Sequence, residues 1–274
     1  MKKSSLFFKN NNGRKELWMM ARCPFREDLD VRDDSNLTTK RNELKVRLNI
    51  KDDPEQFEGV FYEDDKERIV RNVKELNVLE FTLGEINFLD IGFGDGTLID
   101  YLSENGSGNY YGFEPEEIRV EIAKKITKDR NNVFIEKNTV ALAEYEENFF
   151  DCISCFAVLE HVKNPMELIE KINKWLKPGG KIIFSASNAD GFIPRFFGIE
   201  NWRAPDSGHF WAPGKKTLFR LLELEGFKVK KSFTYGGFPM PRGIIKNLAN
   251  KLFKKIGLGD ILCLVAERGG NEKN

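Results

Sequence analysis

The sequence predicts an α/β fold built around a mostly parallel sheet with helices on both faces. Two observations lead to this prediction. Short apolar runs that suit buried strands alternate along the chain with segments of helical periodicity. One of these strands, at 88–91, runs directly into glycines at 92, 94 and 96 and then into a helix at 97–102. A strand, a glycine turn and a helix in this order are how α/β proteins form a nucleotide-shaped cleft.

The other elements follow in a regular order. A helix is predicted from about residue 65, where Ile69, Val70, Val73 and Leu76 share one apolar face. A second helix is predicted at 115–129 with Pro115 at its first position, a third from Asn164 and Pro165, and a fourth around 218–222 that ends at Gly226. Residues 176–180, Leu-Lys-Pro-Gly-Gly, are predicted to form a turn that leads into a strand. The strands after 88–91 are predicted at 110–113, 133–135, 149–156, 181–185, 227–229 and 261–266.

Length and composition favour one large domain with an appendage. The chain has 274 residues, of which 41% are hydrophobic, so it can bury a sizeable core. Residues 1–62 show no clear period except near 44–50, where alternation suggests a strand, and they are predicted to form a partly ordered N-terminal extension. Residues 63–270 are predicted to form the main domain.

Charge and cysteine usage narrow the expected partners and location. The 43 basic and 43 acidic residues cancel, so no global field would attract nucleic acid or an anionic surface. Four scattered cysteines suggest reduced thiols in a cytoplasmic protein. The apolar run near the N-terminus stops at Lys9, too early for a signal peptide, and no run is long enough to span a membrane.

The glycine turn at 92–96 and the acid Glu114 together suggest a ribose-containing ligand. Glycine lets a ligand touch the main chain, and the N–H groups at the start of the following helix can bind a carboxylate. Glu114 ends the second strand, where a carboxylate can accept hydrogen bonds from both vicinal hydroxyls of a ribose. Asn138 follows the third strand, and its amide complements the edge of adenine. The spacing G-x-G-x-G differs from the dinucleotide fingerprint, which disfavours an NAD-dependent oxidoreductase.

Five stretches in this order resemble the class I S-adenosylmethionine-dependent methyltransferases: LDIGFGDG at 89–96, YYGFEP at 110–115, FFDCISCFAVLEHV at 149–162, LKPGGKIIFSASN at 176–188 and HFWAPGKKTLFRLLELEGF at 209–227. The resemblance covers roughly 66–268 and is closest to the branch that methylates quinone precursors, sugars and other metabolites. It implies a Rossmann-like, seven-stranded sheet, S-adenosyl-L-methionine as cofactor, and a small-molecule or glycan-precursor acceptor methylated at oxygen. The cofactor-binding residues it implies are Asp90, Gly92, Phe93, Gly94, Gly96, Glu114, Pro115, Asn138, Thr139 and Phe156.

Methylation of an oxygen usually requires a general base, and the chain has only two histidines. The candidates are His209, within the aromatic-rich segment on the side expected for the acceptor, and His161, just past the fourth strand. His209 is preferred, because His161 belongs to a motif shared by enzymes with varied acceptors. Each is also explained as a hydrogen-bonded structural histidine. No metal site is expected, because Cys152 and Cys155 point to opposite faces of one strand and no second cysteine pair exists.

Two insertions remain open to two interpretations each. The aromatic insertion at 190–213 is either a substrate-facing lid or a satellite hydrophobic cluster. The predicted basic amphipathic helix at 243–257 either makes peripheral contact with a membrane or packs on its own core.

Three other functions are weighed against methyl transfer to a small molecule. Aminopropyl transfer of the spermidine-synthase type fits the glycine turn, but residues 154–157 lack the paired aspartates of those enzymes. Methylation of nucleic-acid bases usually shows an Asn/Asp-Pro-Pro-aromatic tetrapeptide near the fourth strand, which is missing here. A non-catalytic partner subunit that binds the cofactor stays open.

Overall fold

The computed structural model describes residues 6–11, 14–19, 69–82, 84–196, 210, 212–236 and 252–270. Within it the chain divides into two compact units, one of Arg26–Ala143 and one of Met1–Phe25 with Glu144–Asn274. The predicted boundary between 1–62 and 63–270 stays a prediction, and the strand expected near 44–50 lies outside the described residues.

The unit Arg26–Ala143 contains a three-stranded parallel arrangement with its helices. Helical residues 69–76 (α1) and the short α2 (Leu79–Thr82) precede β3 (Asn87–Ile91). The elements that follow are α3 (Thr97–Asn105), β4 (Asn109–Glu114), α4 (Glu117–Ile126) and β5 (Val133–Lys137). Strand β4 is parallel to both β3 and β5. Its carboxyl end therefore lies beside the carboxyl end of β3, where ligands of such sheets bind.

The other unit begins with an antiparallel hairpin of β1 (Leu6–Asn11) and β2 (Arg14–Met19), which the sequence analysis did not predict. Its later elements are β6 (Phe150–Phe156), a 3₁₀ turn (Leu159–His161), α5 (Pro165–Trp175), β7 (Leu176–Ser187), α6 (Phe192–Phe196), α7 (Lys215–Leu224), β8 (Phe227–Tyr235), helical residues 252–256 (α8) and β9 (Ile261–Arg268). Strands β6 and β7 are parallel, whereas β9 is antiparallel to β7 and β8.

Strands β3 to β9 belong to one seven-stranded sheet, so the predicted α/β fold with a mostly parallel sheet is confirmed. The inner strands β3, β4, β6, β7 and β9 are buried through most of their length, whereas the edge strands β5 and β8 are mostly half-buried or exposed. The helix predicted from Asn164 is also confirmed: the Asn164 side chain accepts a hydrogen bond from the N–H of Glu167, and Pro165 occupies the first turn.

Two local predictions were wrong. The helix expected from Pro115 begins at Glu117. The Glu114 carboxylate accepts the N–H of Glu116, so Pro115 and Glu116 form the turn before the helix. The turn expected at 176–180 is part of β7, which starts at Leu176, and Gly179 takes up the irregularity with a φ of 78°.

Candidate functional site

The glycine turn, residues 92–96, has a left-handed backbone at each of its glycines. The φ angles are 66° at Gly92, 59° at Gly94 and 81° at Gly96, a region that residues with a side chain rarely adopt. The N–H groups of Gly92 and Phe93 both donate to the carbonyl of Phe113, at 2.9 and 3.4 Å, and that of Gly96 donates to the carbonyl of Phe93 at 3.0 Å. The turn is thereby fixed to the end of β4.

These bonds leave the start of the following helix as the expected place for a ligand carboxylate. The N–H groups of Gly92, Phe93, Gly94 and Gly96 already have acceptors within the protein. A ligand carboxylate would therefore meet the first N–H groups of α3, whose N-terminus is capped by no side chain in the described part of the chain.

Glu114 connects the two loops that follow β3 and β4. Its side chain accepts the N–H of Gly94 at 3.1 Å through Oε2 and the N–H of Glu116 at 3.2 Å through Oε1. The residue is only 7% exposed. Burial raises the pKa of the Glu114 carboxyl, while Arg119 and the two N–H donors act in the opposite direction. Each carboxylate oxygen still has a lone pair for a further donor.

Asp90 and Phe93 are both buried beside the turn, at 3% and 5% exposure. Asp90 lies opposite Gly112 in the pairing of β3 with β4. A Cβ at Gly112 would lie 2.8 Å from the ring of Phe93 and 2.6 Å from Ile99. Glycine at 112 is therefore needed to let the Phe93 ring lie over the strand, a requirement that the sequence analysis missed.

The residues after β5 form a local hydrogen-bonded turn. Asn138 donates its own N–H to the carbonyl of Glu114 at 3.2 Å, which places it next to the acid. Its side-chain oxygen accepts the N–H of Thr139 at 2.8 Å, and its Nδ2 donates to Glu136 at 3.0 Å. One donor and one lone pair of the amide remain for adenine, so the predicted contact stays a prediction.

The third glycine and Arg119 contribute to the turn from the side of α4. A Cβ at Gly96 would lie 2.7 Å from the Cβ of Ala123 in α4, so this glycine is needed for helix packing. Arg119 places its Nη1 3.2 Å from the position of a Cβ at Gly94, and it forms ion pairs with Asp95 at 3.5 Å and Glu116 at 3.3 Å. Neither Arg119 nor Asp95 was predicted from the sequence to belong to the site.

Two predicted site residues lie at the carboxyl end of β6, in the unit that includes residues 144–274. Phe156 ends β6, opposite Ser185 of β7, and His161 ends the 3₁₀ turn, half-buried. Between them Glu160 is 2% exposed, and its Oε1 accepts the N–H and the hydroxyl of Ser187, both at 3.2 Å. Burial raises the pKa of Glu160, whose Oε2 has no hydrogen-bond partner among the residues that the structure describes.

The aromatic insertion is described only at its two ends. His209 lies outside the described residues, as do 197–208 and 211. The N–H of Ala189 donates to the carbonyl of Pro213 at 3.0 Å, and Ala189 and Ala212 form a small buried cluster with Ile193. The ends of the insertion thus pack together, which favours the satellite cluster for this part and leaves the lid untested.

The residues of the Arg26–Ala143 unit fit the adenosyl ligand that the sequence resemblance implies. The turn at 92–96 carries no side chain at Gly92, Gly94 and Gly96, and the Glu114 oxygens can accept two hydroxyl groups at its edge. The buried Asp90 carboxylate suits a ligand that carries positive charge. In the described parts of the chain, no group of three or more His, Cys, Asp or Glu side chains could hold a metal ion.

The family model described as a methyltransferase domain matches residues 61–232, well over half of the chain. A ubiquinone biosynthesis O-methyltransferase of Coxiella burnetii is 30% identical over 110 residues, 40% of this chain and 47% of that protein. One of Vibrio cholerae is 33% identical over 107 residues, 36% of this chain and 41% of that protein. The match thus spans less than half the length of these curated relatives.

Solved structures share the fold at low identity. An S-adenosylmethionine-dependent methyltransferase of Mesorhizobium loti has a TM-score of 0.53 and 17% identity, covering 70% of this chain and 95% of that one. Another of Methanosarcina mazei has a TM-score of 0.54 and 14% identity, covering 71% and 98%. The [4+2]-cyclase SpnF has a TM-score of 0.53 and 16% identity, covering 75% and 81%, so the fold alone does not determine the reaction.

Proposed function

This chain belongs to the methyltransferase domain family and takes S-adenosylmethionine as its cofactor, and on that premise we propose that it methylates a small-molecule or glycan-precursor acceptor at oxygen. The observation that carries the choice of oxygen is the similarity of part of the chain to two O-methyltransferases. Their acceptor class, a quinone precursor, is the first to test. These two similarities cover 40% and 36% of this chain, and we propose the activity for the whole chain.

The cofactor supplies a methyl group on a sulfonium, and the residues of the chain have to hold the partners in line. We assign ribose binding to Glu114, because its buried carboxylate lies between the glycine turn and α4 with lone pairs to spare. We assign to Asp90 the role of opposing the positive charge of the cofactor. Gly92, Phe93, Gly94 and Gly96 would form the surface under the ligand, with Pro115, Asn138, Thr139 and Phe156 as further contacts.

Removal of the acceptor proton requires a base, for which His209 and His161 are the two proposed residues. His161 is described at the end of the 3₁₀ turn, at the carboxyl edge of β6. A general base contributes about 10²–10⁴-fold to a rate. Replacing the true base by Asn should therefore lower the turnover number by that range without changing cofactor affinity.

Two alternatives remain proposals of lower rank. Aminopropyl transfer would need acids after the fourth strand of the predicted order, and the residues there are Ser154, Cys155, Phe156 and Ala157. A non-catalytic partner subunit would bind the cofactor and turn over no acceptor. The aminopropyl reaction is tested with decarboxylated S-adenosylmethionine and putrescine.

The location of the protein is inferred from its cysteines, and a contact with membranes from the exposed apolar side chains of α8. We propose a cytoplasmic location, supported by the buried cysteines Cys152, Cys155 and Cys263, which form no disulfide within the described residues. Within the described residues, no helix has the length and apolar character needed to cross a membrane. Peripheral contact with a membrane through 243–257 is proposed because Leu252 and Ile256 of α8 are each 53% exposed.

The experiment measures transfer of a labelled methyl group to a panel of phenols, catechols, sugars and amines, together with cofactor affinity by calorimetry. Glu114→Ala should weaken S-adenosylhomocysteine at least tenfold, because losing a charged partner of two hydroxyls costs about 1.5–3 kcal/mol. The control is Glu121→Ala, an exposed acid of α4, which should bind like the wild type. Unchanged affinity in Glu114→Ala would refute the site, and methylation of amines alone would refute the choice of oxygen.

A further inference from the structure

Arg119 lies where two loops of the cofactor site meet, and the sequence resemblance gives it no role. It belongs to the first turn of α4, and its side chain is 36% exposed. Its Nη1 is 3.5 Å from the carboxylate of Asp95 in the glycine turn. Its Nε is 3.3 Å from the carboxylate of Glu116, the residue before α4. One guanidinium therefore spans from the loop after β3 to the loop after β4.

Glu114 spans the same two loops by a second route. Its carboxylate accepts the N–H of Gly94, the neighbour of Asp95, and the N–H of Glu116. The two loops are thus joined twice. The Glu114 carboxylate connects Gly94 with Glu116, and the Arg119 guanidinium connects Asp95 with Glu116. Arg119 also lies directly over Gly94, where a Cβ would be only 3.2 Å from its Nη1.

We propose that Arg119 is a positioning residue for the cofactor: it ties the glycine turn to the start of α4 and so holds the Glu114 carboxylate in place for the two ribose hydroxyls. This inference rests on the proposed use of Glu114. The guanidinium acts through Glu114 and does not need to touch the ligand.

The electrostatics agree with this geometry. Burial raises the pKa of the Glu114 carboxyl, and Arg119 is the largest effect in the opposite direction. The other charged groups around Glu114 are Glu116 and Asp95, together with Lys137 on β5, which pairs with Glu117 at 2.8 Å. The carboxylate form is the one that accepts two hydroxyl protons. Ligand affinity should therefore fall as the pH falls through the pKa of Glu114, and without Arg119 it should fall at higher pH.

A purely structural role for Arg119 predicts something different. Ion pairs of a side chain with this exposure contribute little to global stability. Loss of Arg119 should leave the melting temperature almost unchanged while it changes binding. A structural role would lower both together, without moving the pH midpoint of binding.

The test is calorimetric binding of S-adenosylhomocysteine to the full chain between pH 4.5 and 8. In Arg119→Gln the midpoint of the affinity loss should rise by about one pH unit, the lower part of the range for a neighbouring opposite charge. Arg119→Lys, which keeps the charge, should return the midpoint towards that of the wild type. The matched control is Arg130→Gln, which removes a guanidinium paired with Asp100 at 3.2 Å elsewhere in the same unit.

Glu114→Gln separates this inference from the proposed function. If Glu114→Gln binds as tightly as the wild type, the assignment of the site fails. If Glu114→Gln weakens binding and removes the pH transition, but Arg119→Gln keeps the wild-type midpoint, the role of Arg119 is refuted and the site stands. A raised midpoint in Arg119→Gln, absent from Arg130→Gln, would establish the positioning role.

Discussion

Replacing Gly96 by alanine should strongly destabilise the Arg26–Ala143 unit, for two separate reasons. Gly96 has a φ of 81°, and an L-residue in that left-handed region costs about 1–2 kcal/mol. Its Cβ would also lie 2.7 Å from the Cβ and 3.1 Å from the Cα of Ala123, which is fully buried in α4. Neither neighbour can move without the helix, and overpacking of this kind costs about 1–3 kcal/mol. The expected total is about 2–5 kcal/mol.

Gly179 provides a matched control for the backbone part. Its φ is 78°, nearly that of Gly96, but beyond its chain neighbours no heavy atom of the described residues lies within 4 Å of the position of its Cβ. Gly179→Ala should therefore cost only the backbone strain of about 1–2 kcal/mol. The assay is urea unfolding followed by circular dichroism, which gives the free energy of unfolding of each variant.

A double-mutant cycle then isolates the contact with α4. Ala123→Gly by itself weakens the helix, because glycine is about 1 kcal/mol less favourable than alanine there. In the Gly96→Ala background it also makes room for the new Cβ. The two substitutions should therefore be coupled by about 1–3 kcal/mol in the favourable direction. Additive effects, or a Gly96→Ala variant no less stable than Gly179→Ala, would refute the packing explanation.

Two further predictions concern the other unit. Burial in the folded protein raises the pKa of Glu160. The contribution of Glu160 to the free energy of unfolding should therefore be most favourable below the unfolded-state pKa of about 4.3. It should become less favourable by up to about 1.4 kcal/mol per pH unit as the pH rises from there to the pKa of Glu160 in the folded state. Glu160→Gln should thus raise the melting temperature at pH 8 but not at pH 4, and identical pH profiles for the two proteins would contradict this. Leu252→Asp with Ile256→Asp should reduce co-sedimentation with phosphatidylserine vesicles, whereas Leu224→Asp, at an equally apolar exposed site of α7, should not. Equal loss in both variants, or no sedimentation of the wild type, would count against membrane contact through 243–257.

The corner after β4 shows where prediction from sequence succeeded and where it failed. The strand, the acid at its end and a helix after it were all predicted, because each depends on residue types within a few positions. The start of the helix was misplaced by two residues, because the Glu114 side chain bonds back to the N–H of Glu116. Helix boundaries depend on such single bonds, which a propensity cannot weigh.

Contacts between distant segments were beyond the sequence. Arg119 and Asp95 are 24 residues apart, and only the parallel pairing of β3 with β4 brings their loops together. The same pairing explains Gly112, whose missing side chain makes room for Phe93 from the preceding loop. The N-terminal hairpin of β1 and β2 was missed because its strands carry little of the apolar alternation that marks a half-buried strand.

The order of the strands β3 to β9, the glycine turn and the acid at 114 were determined by the sequence alone, because periodicity and short-range spacing encode them. The tertiary structure decided what those residues touch. The N–H groups of the turn donate hydrogen bonds to Phe113 and Glu114. Gly96 packs against Ala123, and Arg119 pairs with Asp95 across the two loops. Such contacts depend on how neighbouring strands and helices pack, and no local pattern of residues specifies that packing.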